Sequence, residues 1–508
     1  MIAALYKRSI IELTVFVCGA LVMVFEIIGS RILSPFIGTS TYIWTSLIGV
    51  ILASLSLGYW FGGRLSDKRP DPKVLATVIF IAGGLIAVTI LLKDILLSAI
   101  AGAHMGLELK ALIASLVLFA PASICLGIVT PFAVRLRSID VNSAGTTVGR
   151  LYALSTVGSI IGTFAAGFFL IPFVGSVRTL YIIAGTLILL SMLLVPLAIS
   201  KLNIAVVMTF VLAVIASEAT GYLLRTTSGV YDIDTEYSRV QVFKTTDPVT
   251  GRPIRALATD PYFVQSAAFL DSDELVLPYS HYYHLIRHFS PQLKNTLIIG
   301  GAGYSFPKEY LAKYPTANLD VVEIDPGMTE IAREHFRLKD NPRLQIIHED
   351  GRMFVNRAPA GTYDVVLMDA FGSLFSVPYH LTTLEAVRNI ARVLNDDGIV
   401  IFNLGSAING DASRFLHAEL ETYRQVFPHV FVFKVNADYA DDRLQNLIIV
   451  ATKSPTVPQL SSPDPEVAEL LKHKYDIPAS INAHALTDDL APVEYYNSIA
   501  QNIYLANR

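Results

Sequence analysis

Seven apolar stretches fall in the first 224 residues of this chain, near 11–33, 43–63, 74–92, 111–134, 151–173, 179–199 and 203–224. Each approaches the roughly 20 residues a helix needs to cross the hydrocarbon core of a bilayer. Backbone polar groups in hydrocarbon must satisfy one another, so these stretches are expected as helices. The first is too long, and ends too unlike a small-residue cleavage site, to be a removable signal peptide. Composition agrees: 53% of the chain is hydrophobic and 16% charged, against about 25% charged in soluble chains. Nearly all of that excess lies before residue 224.

Within the apolar half, Gly158, Gly162 and Gly167 recur at spacings that favour close helix contacts. Glu26 and Arg31 interrupt the first stretch. Charges at that depth face a partner or a cavity, or lie near the interface and snorkel, and both readings stand. Cys18 and Cys125 sit inside apolar stretches and make neither a disulfide framework nor a metal cluster. A net charge of −4 without a basic tract gives no reason to invoke nucleic acid.

Lys7, Arg8, Arg64, Lys68, Arg69, Lys73, Arg135, Arg137, Arg150 and Lys201 flank one side of the stretches, against Lys93, Lys110 and Arg178 on the other. The excess places the N-terminus in the cytoplasm. The expectation is a multi-pass protein of the cell inner (plasma) membrane, with the lipid bilayer as its first partner. Seven crossings would deliver the C-terminal half outside, away from cytoplasmic nucleoside metabolites, so its side stays open.

From Gly229 the pattern becomes period-two alternation broken by turns such as Asp247–Gly251, as in a small antiparallel β-meander. Strands then alternate with helical segments: Thr296–Ile299, Leu319–Glu323, Leu344–His348, Val365–Asp369, Ile399–Asn403, Val430–Val435 and Leu447–Ala451. Such alternation implies a mainly parallel sheet covered by helices, with two antiparallel strands closing its far edge. The fold class expected is therefore multi-domain. An α-helical transmembrane bundle of about seven helices spans 1–224, a small antiparallel β domain 225–290, and a Rossmann-like α/β domain of methyltransferase type 291–508.

Ligands of such sheets bind at the carboxyl ends of the strands. Gly300, Gly301 and Gly303 follow the first strand, where glycines let the backbone approach a ligand and open a helix N-terminus towards it. Glu323 ends the next strand, at the interval where a carboxylate accepts from ribose hydroxyls. Asp350, followed by Gly351, is placed to accept from an adenine amino group, and Asp369 ends the fourth strand, aimed at the cleft centre. Turn glycines and helix-capping acids explain each feature singly; all four in order point to a nucleoside site. Phe306 stands where a dinucleotide fingerprint would have its last glycine.

From about Asp234 to Ala451 the chain resembles the polyamine aminopropyltransferases, the spermidine synthases, in a membrane-fused form. The resemblance rests on Tyr237–Phe243, Gln265, Asp273-Glu274, Tyr282–His284, Leu297–Gly301, Val322–Asp325, Asp350-Gly351 and Asp364–Asp369. It implies S-adenosylmethionine or its decarboxylated form as substrate, with no metal. It further implies ribose binding by Glu323, adenine recognition by Asp350, and Asp369 as the carboxylate that helps remove a proton from an attacking amine. Gln265, with Gly300, Gly301, Gly303 and Gly351, is assigned to the nucleoside, and Ser238, Tyr282 and His284 to the acceptor side. A homodimer is implied by the same analogy.

Three departures from the family bear on the acceptor. Gly303 stands where the family has an acid for the aminopropyl ammonium, Gly372 where it has a second acid, and His284 where a glutamate is expected. A diamine needs several carboxylates at charge-assisted hydrogen-bond distance, so putrescine loses much of its rationale and intact S-adenosylmethionine becomes as plausible as the decarboxylated form. The expected chemistry is aminopropyl-type transfer with release of methylthioadenosine. Cleavage of S-adenosylmethionine without an amine acceptor, methyl transfer, and a transporter gated by a nucleoside-sensing domain are the alternatives.

Overall fold

The computed structural model describes residues 2–38, 40–138, 144–195, 201–260, 263–370, 377–478 and 483–506. The chain forms two compact units, Met1–Asp234 and Thr235–Arg508.

The first unit is helical: α1 (Ile2–Ile37), α2 (Thr41–Lys68), α3 (Pro72–Ala101), α4 (Leu107–Leu118), α5 (Ala120–Arg137), α6 (Ala144–Ala165), α7 (Ser176–Leu194) and α8 (Lys201–Leu223), then the short strand β1 (Tyr231–Asp234). Among the described residues, seven helical segments are long and apolar enough to cross a membrane, beginning with Ser9–Ile37 and ending with Asn203–Ser228. The stretch expected as one helix over 111–134 is broken between α4 and α5. Pro121 there has no N–H and its ring crowds the preceding turn; the Thr89 hydroxyl on α3 lies 3.0 Å from the Leu118 carbonyl at the break. Helix α6 runs on as a π-helical segment, Ala166–Val174, which contains Pro172.

Glycines set the closest helix approaches in this unit. A Cβ on Gly58 would fall 2.3 Å from the Ile124 carbonyl of α5, and one on Gly162 2.2 Å from the Ala20 carbonyl of α1. Gly158 meets the Phe16 carbonyl in the same way, whereas a Cβ on Gly167 would meet nothing within 4 Å among the described residues. Glu12 of α1 pairs with Arg137 of α5 at 3.3 Å and with Arg150 of α6 at 2.9 Å. Large apolar side chains, among them Phe164, Phe168, Phe169 and Phe173, point outward.

The second unit begins with three antiparallel strands, β2 (Arg239–Thr246), β3 (Pro253–Ala258) and β4 (Ser266–Phe269). A helical turn follows, made of α9 (Pro278–His281), a 3-10 segment (Tyr282–Leu285) and α10 (Ile286–Phe289). Then come β5 (Asn295–Ile299), α11 (Ser305–Lys313), β6 (Asn318–Glu323), α12 (Pro326–His335), β7 (Leu344–His348), α13 (Gly351–Arg357), β8 (Tyr363–Met368), α14 (Leu384–Val393), β9 (Leu394–Ser406), α15 (Arg414–Arg424), β10 (His429–Lys434), β11 (Gln445–Thr452), α16 (Pro465–Lys472), β12 (Lys474–Tyr475) and α17 (Val493–Ala506).

These strands make one mixed, Rossmann-like sheet of eight, ordered β12-β10-β11-β9-β8-β5-β6-β7. Strands β9 to β7 run parallel, and β11, β10 and β12 add antiparallel pairs at the far edge. The central strands are apolar on both faces, as a sheet covered on both sides requires. Leu297, Ile299, Val366 and Met368 enter the core on one side, and Ile298, Val365 and Leu367 the core on the other. Order reverses between β5 and β8, so the switch point, where a ligand crevice opens, lies between Gly300 and Asp369.

Candidate functional site

Four adjacent parallel strands end in the groups that the sequence singled out. Asp369 follows β8, the glycine loop follows β5, Glu323 closes β6 and Asp350 follows β7. Their order across the sheet follows from its pairing.

The glycine loop is shaped by close approach. Gly300 adopts φ +101°, and a Cβ on it would fall 2.3 Å from the Asp369 carbonyl, so a side chain is excluded twice over. The loop continues through Ala302 and Tyr304, both at positive φ. Its backbone N–H groups converge on Glu323: Gly301 donates to Oε2 at 2.7 Å and Ala302 at 3.1 Å, while Asp325 N donates to Oε1 at 2.9 Å. A Cβ on Gly303 would lie 2.4 Å from Ser266 Oγ on β4. Gly351 likewise meets Ile299 at 2.5 Å.

Asp350 caps α13, accepting from Met353 N at 2.9 Å, and its other oxygen lies 3.0 Å from His380 Nε2. Such a cap contributes about 1 kcal/mol to its helix. Asp369 is half-buried. The Asn403 amide donates to its Oδ1 at 3.1 Å and the Tyr279 hydroxyl to its Oδ2 at 3.4 Å. Tyr283, buried alongside, also acts on the same carboxylate. Burial pushes the Asp369 carboxyl up to about 7, and the donors from Asn403, Tyr283 and Tyr279 oppose that rise. A carboxyl that titrates near neutrality can act as a base at working pH.

Two cavities meet at Asp369. The smaller, about 30 Å³, lies among Ser266, Ser280, Tyr283, Gly300 and Ser305. The larger, about 130 Å³, runs past Phe263, Val377, Asn403, Phe415 and Asn446. Gln265, Leu277, Tyr279, Ala302 and Asp369 border both, as a shared wall.

Gln265, Gly300, Gly301 and Asp369 are thus brought together, with Glu323 held behind the loop and Asp350 at the next strand end but one. Tyr282 and His284 are not. The Tyr282 hydroxyl donates to the Lys434 carbonyl at 2.8 Å and contacts His473. His284 is fully buried between Tyr314 at 2.7 Å and Glu309 at 3.0 Å. The reason is helical phase. Tyr279 and Tyr283 are four residues apart on one face, rings 5.9 Å apart, and that face is the one turned to the cavities. Ser238 lies in the turn before β2, its amide donating to Thr235 Oγ1 at 2.9 Å, and borders neither cavity. Gly372 lies outside the described residues.

Sequence reasoning missed Tyr279, Asn403 and Asn446. The i, i+4 spacing of Tyr279 and Tyr283 was a usable signal. So was Asn403, a polar residue at the carboxyl end of an apolar strand; Met368 pairs with Phe402, which makes Asp369 and Asn403 lateral neighbours. Asn446 donates to Asn403 Oδ1 at 2.9 Å and extends the chain of amides by one strand. In the C-terminal segment, Tyr504 of α17 packs on Phe263, which lines the larger cavity, ring centroids 5.5 Å apart. Asp488 instead pairs with Arg352 at 2.8 Å.

Residues 279–453 match the family described as Spermine/spermidine synthase domain. A polyamine aminopropyltransferase of Vibrio vulnificus is 32% identical over 149 residues, 29% of this chain and 48% of its own. Another, of Clostridium acetobutylicum, is 27% identical over 194 residues, 36% of this chain and 63% of its own. This chain therefore spans about half the length of the first and less than two thirds of the second. A solved structure described as a probable spermidine synthase of Corynebacterium glutamicum matches at 21% identity and TM-score 0.43, over 51% of this chain and 96% of that one.

Proposed function

We propose that the chain, whose residues 279–453 match the spermine/spermidine synthase family, is a membrane-held transferase that moves an aminopropyl-type group from a nucleoside sulfonium to an amine and releases methylthioadenosine. The observation that carries this reading is Asp369: a half-buried carboxyl pushed up to about 7, at the sheet's switch point and on the border of two cavities.

In the proposed reaction the acceptor nitrogen attacks the carbon bonded to sulfur. The carbon–sulfur bond breaks, its electron pair stays on sulfur, and the sulfonium becomes a neutral thioether. The nitrogen gives up its proton to Asp369. Glu323 accepts from the ribose hydroxyls, exchanging its loop N–H partners in part for the ligand, and Asp350 accepts from the adenine amino group. Gly300 and Gly301 let the backbone approach the nucleoside, and Gln265 and Tyr279 border the reacting centre. Decarboxylated S-adenosylmethionine is the donor the family points to.

The seven apolar helices of the first unit support residence in a membrane, as a multi-pass protein with outward-facing apolar side chains meeting lipid. The test of the activity is mass spectrometry of the full chain in detergent, given decarboxylated S-adenosylmethionine and a panel of amines. Methylthioadenosine together with an aminopropylated amine, both lost in Asp369→Asn, is the expected result. A nucleoside that binds without releasing methylthioadenosine under any condition would overturn it.

A further inference from the structure

The larger cavity beside Asp369 is poor in charge. Among its described lining residues Asp369 is the one carboxylate, and the polar groups around it are the amides of Gln265, Asn403 and Asn446 and the Tyr279 hydroxyl. The remaining wall includes Phe263, Leu277, Val377 and Phe415. Asp260 accepts the Phe263 amide at 3.0 Å and is not part of the lining.

Asp369 is also claimed from both sides, because it borders the smaller cavity and already accepts from Asn403 and Tyr279. It can take the proton of one reacting amine. A second ammonium deeper in the larger cavity would be surrounded by amides and hydrocarbon with no opposite charge, and an unpaired buried cation is strongly disfavoured. Asn446 uses its amide nitrogen on Asn403, which leaves its carbonyl oxygen to accept from a neutral donor.

We propose that the acceptor is a monoamine whose far end is uncharged, an apolar chain or one ending in a hydroxyl, and not a diamine. This deepens the transferase reading above and rests on it for the identity of the cavity. Asn446 and Asn403 set the specificity, presenting amides at the depth where a diamine would require acids.

The test compares 4-aminobutan-1-ol with 1,4-diaminobutane, two acceptors of equal length, on the full chain in detergent. Turnover with decarboxylated S-adenosylmethionine is one readout. Competitive binding of the two amines to the chain saturated with methylthioadenosine, followed by ligand-observed NMR, is the other. The amino alcohol should exceed the diamine by at least about tenfold in kcat/KM and bind more tightly, because the diamine carries the unpaired charge. Asn446→Asp should narrow or invert that ratio by supplying a counter-charge. A diamine preferred by the unaltered chain in binding, binding by neither amine, or a ratio unmoved by Asn446→Asp overturns the proposal. Amino-alcohol binding that holds while no amine yields methylthioadenosine instead overturns the transferase reading and leaves the charge preference of the cavity standing.

Discussion

The Asn403 side chain donates to Asp369 Oδ1 at 3.1 Å across the β8–β9 pair. The contact joins a polar position within β9 to the first residue beyond β8. It fixes the orientation of the carboxylate and, as a donor to the charged form, lowers a pKa that burial has raised. Asn403→Leu should therefore move the alkaline-rising limb of the pH–rate profile for methylthioadenosine release to higher pH and cut the rate at pH 7 by about tenfold or more. An unchanged midpoint would mean that the amide does not act through Asp369.

Asp369 itself links pH to stability. In the folded chain it holds its proton up to about pH 7, whereas a free aspartic acid ionises near 4. Between those values the folded state binds one more proton than the unfolded state, so this group's contribution to stability is lost as pH rises through the window. Asp369→Asn should match the parent in thermal unfolding near pH 4 and exceed it by pH 8, by on the order of 2–4 kcal/mol. Activity runs the opposite way: parent turnover should climb with pH up to about 7 and then level off, while the Asn variant loses about 10²-fold or more throughout.

Gly300 combines φ +101° with a forbidden Cβ position against the Asp369 carbonyl. Gly300→Ala should destabilise the C-terminal unit by about 3 kcal/mol or more, read from its melting temperature, and displace both the loop and the β8 terminus. Gly49, in an open position with nothing within 4 Å, is the control and should accept Ala with no loss.

Glu323 holds the loop through the Gly301 and Ala302 amides before any ligand arrives. Glu323→Gln keeps the shape and removes the charge. Nucleoside affinity, measured by calorimetry with methylthioadenosine, should fall by about 10- to 100-fold, the value of charge-assisted hydrogen bonds. An affinity that does not change would remove Glu323 from the ribose role.

In the helical unit, Gly58 touches the α5 backbone near Ile124. Gly58→Leu should separate α2 from α5 and shift the detergent-solubilised chain towards aggregation in size-exclusion chromatography, because small residues are what let such helices pack. Gly63, which faces open space, should tolerate the same change.

Local pattern was enough for much of this protein. The apolar runs over the first 224 residues announced helices, because an apolar run of that length has few other ways to satisfy its backbone. Buried strands such as Leu297–Ile299 and Val365–Met368 read as uninterrupted apolar segments, and the acids and glycines after them read as strand ends. Gly300, Glu323, Asp350 and Asp369 could therefore be ordered across a sheet before the sheet was seen. The break at Phe119–Pro121 was also local, since Pro121 was there to be read, yet the hydropathy of the surrounding run concealed it.

What tertiary structure decided was phase, register and environment. Which tyrosine of Tyr279, Tyr282 and Tyr283 reaches the cavities depends on how one short helical turn is rotated against the sheet, and spacing alone does not fix that rotation. Asn403 meets Asp369 because β9 pairs with β8, and Asn446 meets Asn403 because β11 pairs with β9, contacts between residues 34 and 43 apart in the chain. The near-neutral pKa of Asp369 comes from burial that no neighbour in sequence provides. Sequence specifies the order of hydrogen-bonding and apolar groups along one dimension. Charge state and chemical reach depend on which of them are packed together in three.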